Sequence, residues 1–250
     1  MNIATAFDIN LSMPELVCFV GAGGKTTTMF ALAQALKSLN KRILVTTTTN
    51  IFYPEKHECD AVIVNNEQQL GMFHAVSDDT ITVLGSDIVN GEKLAGVNTL
   101  FIEKLYQEKL FDCILVECDG SKRRPIKAPA HYEPVVPSST TKTIGVIGLD
   151  AVGRPIAEEY VHRPELFCET VNRCMGDTID TEAVVNLIVS QQGLFKGVPE
   201  GCAKYVLLNK ADNAQLKENA GVILIGLLKR EAIPVDHCII GSLAKGRIYP

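Results

Sequence analysis

The sequence contains no tryptophan, and aromatic residues make up only 6% of its 250 residues. Proteins that hold single-stranded nucleic acid use aromatic side chains as stacking platforms, so this scarcity argues against that function. An excess of positive charge is also missing, since the formal net charge is −5 at pH 7. We therefore expect no general nucleic-acid-binding surface.

Long hydrophobic runs and targeting signals are missing as well. The longest apolar stretch, residues 220–229, is too short to cross a bilayer. Residues 1–10 have neither the basic nor the apolar region of a secretory signal. The eight cysteines form no CxxC pair and no Cys/His cluster with zinc-like spacing, which favours reduced, buried side chains over disulfides. We expect a cytoplasmic protein that does not bind membranes.

What the sequence does contain is a series of short runs rich in Val, Ile and Leu, with helical patterns between them. The runs are continuous, as expected for a parallel sheet that is covered on both faces. Strands are predicted near 16–20, 42–47, 60–64, 80–85, 111–118, 143–148, 204–208 and 237–241. Helices are predicted at 26–39, 67–75, 98–109, 164–175, 180–192 and 213–231. This alternation predicts an α/β fold, with a doubly wound, mostly parallel sheet and helices on both faces. The sequence GAGGKTT, which follows the first predicted strand, indicates a sheet of the P-loop NTPase type.

The most irregular segment, at about 120–141, is basic and contains four prolines. Loops of this length inside a compact domain are usually functional or mobile. A domain linker is the alternative, but the strand pattern resumes immediately afterwards. We therefore predict one domain over residues 1–250 that contains a long basic, Pro-rich loop.

The sequence GAGGKTT lies between the first predicted strand and the first predicted helix. Glycine-rich loops and helix N-termini present backbone N–H groups to phosphate, and the following Lys and Thr contact the β/γ-phosphates and Mg²⁺. The full pattern G-x-x-x-x-G-K-[ST] is absent, because Phe19 stands where its first glycine would be. A glycine-rich turn that binds nothing is the alternative. The predicted nucleotide-binding residues are Gly21, Ala22, Gly23, Gly24, Lys25, Thr26 and Thr27.

This short loop resembles the Mur-ligase type and the loops of the dimeric, metallochaperone-type branch of P-loop proteins. That branch often has an extra lysine early in the loop, where this chain has Val20.

The predicted strand 111–118 leads into two carboxylates, Glu117 and Asp119. Carboxylates two residues apart on an extended chain point the same way, so both could reach one Mg²⁺ shell together with Thr26. A strand-end turn is the alternative, since Asp-Gly is a common turn pair. The segment also resembles the E-x-x-G switch motif of GTPases that assist nickel-enzyme maturation. Thr47 and Thr48 are candidates for a switch threonine that completes the metal shell, or simply β-branched strand residues.

A predicted late strand ends in Asn209, Lys210 and Asp212, which match the N-K-x-D guanine motif. A carboxylate accepts two hydrogen bonds from guanine, and adenine offers neither, so GTP is favoured over ATP. A helix cap is the alternative. Residues 241–246, GSLAKG, loosely resemble the S-A-K loop that contacts guanine, although Leu243 interrupts the match.

Basic residues follow the acidic pair. They could stabilise transition-state charge, bind an anionic substrate or a partner, or simply keep the loop solvated; the four are Lys122, Arg123, Arg124 and Lys127. Arg123 and Arg124 join Lys25, Glu117 and Asp119 as candidate catalytic residues. We interpret His131 and His162 as structural residues.

Taken together, GAGGKTT, VTTTTN, VECDGSKRRPIKAPAHYEPVVP, VIGLDAVGRPI, VHRPE and LLNKAD resemble the YqeC family, described as accessory proteins of selenium-dependent molybdenum hydroxylases. The resemblance runs from about residue 15 to the C-terminus. The chain departs from the family at Asn50, usually Lys, and at Cys118, usually Ala. The resemblance implies a role in maturing a molybdenum hydroxylase or its cofactor, with a hydroxylase or a maturation protein as partner.

The sequence therefore predicts a nucleoside triphosphatase that uses Mg²⁺ and GTP, or ATP, to drive a switch in segments 45–55 and 117–140. A homodimer is one option for its assembly. Two alternatives stay open: a nucleotide-dependent ligase or kinase acting on a small molecule, and a nucleotide sensor that does not hydrolyse its ligand.

Overall fold

The apolar runs form one nine-stranded sheet in the computed structural model, which describes residues 2–64, 70–230 and 235–249. The strands are β1 (Glu15–Gly21), β2 (Arg42–Thr47), β3 (Asn50–Phe52), β4 (Ala61–Val64), β5 (Thr80–Gly85), β6 (Ile88–Val89), β7 (Lys93–Ala95), β8 (Cys113–Glu117), β9 (Ile126–Lys127), β10 (Lys142–Gly148), β11 (Val161–His162), β12 (Ala203–Asn209), β13 (His237–Ser242) and β14 (Arg247–Tyr249). All eight predicted strands are members of this sheet.

The sheet order is β14-β13-β12-β10-β1-β8-β2-β5-β4. All of these neighbours are parallel except β13 and β14, which are antiparallel. From the central strand β1 the chain first builds one side of the sheet and then, after β8, the other side. Ligands of open α/β sheets bind at the carboxyl ends of the strands where the order reverses in this way.

Helices cover both faces of the sheet, as predicted. They are α1 (Ile3–Ala6), α2 (Lys25–Lys37), α3 (Thr99–Gln107), α4 (Pro164–Val171), α5 (Thr181–Val189) and α6 (Ala214–Leu228), and three 3₁₀ helices span Leu70–Ala75, Leu149–Ala151 and Leu243–Lys245. The core on one face contains residues of α3, α4, α5 and α6, and the core on the other contains residues of α1 and α2. Successive residues of β1 alternate between the two cores, which explains why its apolar run is continuous.

Four predicted helices differ from the observed ones in type or by three or more residues, and one of them, predicted at 180–192, ends at Val189. Of the predicted helix 67–75, residues 67–69 lie outside the described residues, and the rest is a 3₁₀ helix. The helix predicted at 164–175 ends at Val171, because Asn172 adopts a left-handed conformation with φ 56°. The helix predicted at 213–231 ends at Leu228, and residue 231 lies outside the described residues.

The predicted loop at 120–141 is more ordered than its composition indicates. Residues 125–130 are all buried, and β9 within them pairs in parallel with β11. A separate antiparallel sheet is formed by β3, β7 and β6. Among the described residues, the helices are too short or too polar to span a membrane.

Candidate functional site

The predicted site residues meet at the carboxyl edge of the central sheet, where β1, β8, β10 and β12 end. A cavity of about 1370 Å³ opens there and is lined by the start of α2, by the end of β8 and by residues 120–124. Its far wall consists of residues 158 and 161–166. The fold thus brings segments that are distant in the sequence around one cavity.

The N-terminus of α2 faces this cavity without a side-chain cap. The N-cap residue Gly24 has φ 123°, a conformation that side chains disfavour, and makes no side-chain hydrogen bond to the helix. The first amides of a helix have no intrahelical acceptor, so those at the start of α2 can serve an anion.

The preceding three amides are engaged within the protein. Gly21 N–H donates to Asp119 Oδ2 at 3.1 Å, Ala22 N–H to the Val146 carbonyl at 2.8 Å and Gly23 N–H to the Arg124 carbonyl at 3.2 Å. In this conformation the donors available to phosphate therefore begin at Gly24 rather than at Gly21.

Lys25 is buried between the two candidate metal carboxylates. Its Nζ donates to the Gly21 carbonyl at 2.7 Å and lies 3.2 Å from Asp119 Oδ1 and 3.5 Å from Glu117 Oε1. Burial acts to lower the pKa of Lys25, but the charges of Asp119 and Glu117 outweigh it and raise the pKa. The lysine is therefore a fixed positive charge at the start of α2.

The candidate Mg²⁺ ligands lie close together. Thr26 Oγ1 donates to Glu117 Oε2 at 2.6 Å, and Asp119 Oδ1 is buried without a hydrogen bond, its contact being the ion pair with Lys25. Within the described part of the chain, no group of three or more His, Cys, Asp and Glu side chains could hold a metal ion alone. This donor set suits Mg²⁺, which binds one or two carboxylates and completes its shell with phosphate and water.

The two candidate switch threonines lie at the end of β2 and just after it, and both donate to backbone carbonyls. Thr47 is buried, and its hydroxyl donates to the Glu117 carbonyl at 2.7 Å. The Thr48 hydroxyl donates to the Val135 carbonyl at 2.8 Å. Thr49, which sequence reasoning did not select, lines the cavity.

The candidate base-reading residues lie beside the phosphate loop. Asn209 donates to the Gly23 carbonyl at 2.9 Å and accepts from Leu243 N–H at 3.1 Å, so it ties the loop to the 3₁₀ helix after β13. Asp212 Oδ1 accepts from Ser242 Oγ at 2.5 Å and lies 3.4 Å from Lys245 Nζ. The Ser242 hydrogen bond and the positive charge of Lys245 lower the pKa of Asp212.

The serine and the lysine of the interrupted S-A-K match, Ser242 and Lys245, both contact Asp212. Lys210 lines the cavity and pairs with Asp150 at 2.8 Å.

The basic residues divide into two groups. Lys122, Arg123 and Arg124 line the cavity, and the Arg123 guanidinium lies 4.3 Å from the centre of the Phe52 ring. Lys127 is instead fully buried and pairs with Asp119 at 2.9 Å and with Glu133 at 2.6 Å. Its role is to join the acidic pair to the rest of the 120–141 segment.

Sequence reasoning missed the partners of Lys127. Glu133 accepts two hydrogen bonds from Arg163, at 2.7 and 3.0 Å. Burial acts to raise the pKa of Glu133, but the hydrogen bond from Arg163 and the charge of Lys127 lower it overall. The only sequence signal was the presence of these residues in the segments HYEP and VHRPE, which gives no indication that they pair.

Comparison with known proteins places the site in a family. Residues 17–165 match the family described as YqeC protein. A curated relative, the uncharacterized protein YqeC of Escherichia coli (strain K12), is 33% identical over 197 residues, which cover 79% of this chain and 76% of the relative. The family match includes the start of α2, the acidic pair and Arg163, whereas Asn209 and Asp212 lie beyond it. The chain belongs to the YqeC family.

Proposed function

We propose that the protein binds a nucleoside triphosphate at the N-terminus of α2 and hydrolyses it. The observation that carries the proposal is the uncapped start of α2 with Lys25 buried beside it, at the carboxyl edge of a parallel sheet. Amides from Gly24 onward and the Lys25 ammonium hold the phosphates. To contact them, Lys25 exchanges its contacts with Asp119 and Glu117 for phosphate oxygens.

Mg²⁺ accompanies the nucleotide in this proposal. Thr26, Glu117 and Asp119 hold it, supported by the hydrogen bond between Thr26 and Glu117 and by the Asp119 oxygen that lacks one. The ion supplies charge neutralisation at the phosphates. Arg123 and Arg124, on the same cavity wall, stabilise negative charge that develops during hydrolysis. Thr47 acts by fixing the backbone of Glu117.

Guanine is the preferred base. Asp212 is held by Ser242 and Lys245 next to Asn209, which is bonded to the phosphate loop. An ionised carboxylate in this position accepts from the two guanine donors and would be left unpaired against adenine. The lowered pKa of Asp212 keeps it ionised at neutral pH.

The test is calorimetric titration of the protein with GTP and ATP, each with and without Mg²⁺. We expect GTP to bind at least roughly tenfold more tightly than ATP, with both losing affinity when Mg²⁺ is omitted. Lys25→Ala should abolish binding, and phosphate release should fall with it. Equal affinity of wild-type and Lys25→Ala protein for GTP would refute the proposal.

A separate variant tests which base the protein prefers. Asp212→Asn exchanges the carboxylate for an amide that can pair with xanthine, so preference should move from GTP to XTP. The matched variant is Asp150→Asn. It removes the carboxylate that pairs with Lys210 and leaves Asp212 unchanged. If Asp212→Asn and Asp150→Asn give the same GTP to XTP ratio, Asp212 does not read the base.

Transfer to a second molecule, as in a kinase or ligase, is the competing function. The volume of the cavity, about 1370 Å³, favours it, because pockets for a single small ligand commonly measure about 300–1000 Å³. Product analysis separates the two functions: hydrolysis releases inorganic phosphate with no other substrate present.

The cellular role rests on the family resemblance alone. We propose that the nucleotide cycle assists maturation of a selenium-dependent molybdenum hydroxylase or of its cofactor, with segments 45–55 and 117–140 as the switch that a partner reads. Hydroxylase activity in cells that carry the Lys25→Ala variant in place of the wild type tests this role, and unchanged activity would contradict it.

A further inference from the structure

The cavity extends well beyond the place where a nucleotide would bind. Asn209 and Asp212, which would hold the base, are not among its lining residues, whereas residues 24–27 are. The remaining walls come from residues 49–52 and 93, from residues 117, 120–124, 132 and 133, from residues 158 and 161–166, and from Lys210. Lys210 belongs to the base-reading motif, so the cavity extends from the start of α2 and from Lys210 to walls that the proposed nucleotide contacts do not include.

The outer part of the cavity is the part lined by residues 49–52, 93, 120–124, 158 and 161–166. Four cations line it without a carboxylate partner among the described residues. They are Lys93, Lys122, Arg123 and Arg124. The other cations of the cavity are paired: Lys25 with Glu117 and Asp119, Arg163 with Glu133, and Lys210 with Asp150. Two carboxylates, Glu158 and Glu165, also line the cavity without an ion pair in the described chain. Four unpaired positive charges against two negative ones leave this part of the cavity positive.

Two of the unpaired cations share an aromatic support. Arg123 Cζ lies 4.3 Å and Lys93 Nζ 4.9 Å from the centre of the Phe52 ring. A ring face attracts a cation and orients it without neutralising its charge. Phe52 belongs to β3 and Lys93 to β7, which pair directly with each other. The small sheet thus holds two charges at the cavity wall and leaves both free for an anion.

We infer that this outer part of the cavity is a second binding site, for a small molecule that carries a phosphate or another multiply charged anionic group. The second site depends on the proposed function in one respect, the identity of the neighbouring ligand. A nucleotide bound at α2 places its terminal phosphate next to the second ligand. Lys93 and Lys122 hold this anion together with Arg123 and Arg124, the two arginines that the proposed function also assigns to the terminal phosphate. A second anionic ligand next to a terminal phosphate is the arrangement that group transfer needs.

The test uses inorganic pyrophosphate as the probe, titrated calorimetrically into the full-length protein saturated with Mg²⁺ and a non-hydrolysable GTP analogue. We expect one further equivalent to bind. Lys93→Glu should weaken pyrophosphate binding by at least roughly tenfold, with the affinity for the analogue unchanged within about threefold, because Lys93 lies outside the α2 site. Lys217→Glu is the matched control, since Lys217 also lies over an aromatic ring, that of Tyr249, but outside the cavity.

The Lys25→Ala variant separates this inference from the proposed function. It should lose the analogue and retain pyrophosphate binding that depends on Lys93. If no nucleotide binds even the wild type while pyrophosphate binding still requires Lys93, the proposed function fails and the second site stands. Absence of pyrophosphate binding in both wild type and Lys25→Ala protein would overturn the second site, as would a Lys93→Glu effect of equal size on analogue and pyrophosphate.

Discussion

His162 lies on the cavity wall between positive side chains, and its protonation follows from that position. Burial, with the charges of Arg163 and Lys127, lowers the pKa of His162 to about 4 from its ordinary 6.5. At neutral pH the ring is therefore uncharged and adds nothing to the positive potential of the cavity. The interpretation of His162 as a structural residue remains a prediction, now with a stated protonation state.

The lowered pKa gives a measurable pH dependence. Between pH 6.5 and about 4 the unfolded chain binds a proton at His162 that the folded protein does not, so the free energy of unfolding falls as the pH falls through this window. We expect His162→Gln to lose less stability on acidification from pH 7 to pH 4 than the wild type, by on the order of 1 kcal/mol after solvent screening. Chemical denaturation at both pH values measures this.

An exposed histidine, His131, supplies the comparison for this measurement. His131→Gln is the matched variant, because it removes an imidazole at an exposed position by the same substitution. An equal loss of stability in His162→Gln and wild-type protein over this window would contradict the assignment.

At the scale of elements, the loop between β1 and α2 is fixed by contacts of its glycines. Gly23 and Gly153 have nearly the same backbone angle, φ 86° and 85°. A Cβ on Gly23 would lie 2.1 Å from the backbone nitrogen of Gly148, whereas a Cβ on Gly153 would meet nothing within 4 Å. The two positions therefore separate the cost of a positive φ from the cost of packing.

Substitution by alanine should reveal that difference. Gly153→Ala bears only the strained backbone, about 1 kcal/mol. Gly23→Ala should cost about 2 kcal/mol more in the free energy of unfolding, because the backbone of β10 must move, and the loop should lose affinity for nucleotide. Urea denaturation of both variants gives the comparison, and equal midpoints would mean that the loop does not pack against Gly148 as described.

The sequence was sufficient for the long strands and insufficient for the short ones. Runs such as Leu16–Val20 reveal a strand because both faces of the sheet are covered and every residue is apolar. Strands β9 and β11 have two residues each, too few for any periodicity, and their pairing joins Ile126 to Val161 across 35 positions. Only the folded chain brings such segments together.

The same limit applies to the site. Residues 21–27, Glu117, Asp119 and Asn209 could be predicted to lie together because each ends or follows a predictable strand, and parallel strands end at one edge of the sheet. The pairing of Glu133 with Arg163 was not, because the two are 30 residues apart in irregular segments. The burial of Lys127 contradicts what its basic neighbours indicate, and it follows from two carboxylate partners that the sequence does not identify.

At the scale of the whole molecule, buried charges form a continuous chain across the site. Lys25, Asp119, Lys127, Glu133 and Arg163 alternate in sign, and each contacts the next at 2.6–3.2 Å. This series of charges links the loop between β1 and α2 to Arg163, the residue that precedes α4. Because burial makes an unpaired charge costly, each member depends on its neighbours.

Removal of the Glu133 charge tests whether these charged side chains depend on one another. Glu133→Gln keeps the shape but leaves Lys127 and Arg163 with one carboxylate fewer, so the free energy of unfolding should fall by about 2–3 kcal/mol at pH 7. Glu103→Gln is the matched variant, because Glu103 is a half-buried carboxylate that accepts two hydrogen bonds from Ser138, near the other end of the same segment; it should cost less than about 0.5 kcal/mol.

The pH dependence of this loss separates a charge effect from a shape effect. The pKa of Glu133 is lowered in the folded protein, so its contribution is complete above its unfolded pKa and disappears as the pH falls through the lowered value. The difference between wild type and Glu133→Gln should therefore be largest at neutral pH and shrink in acid. A difference that stays constant from neutral to acidic pH would mean that Glu133 acts by packing, and the charges from Lys25 to Arg163 would then not behave as one network.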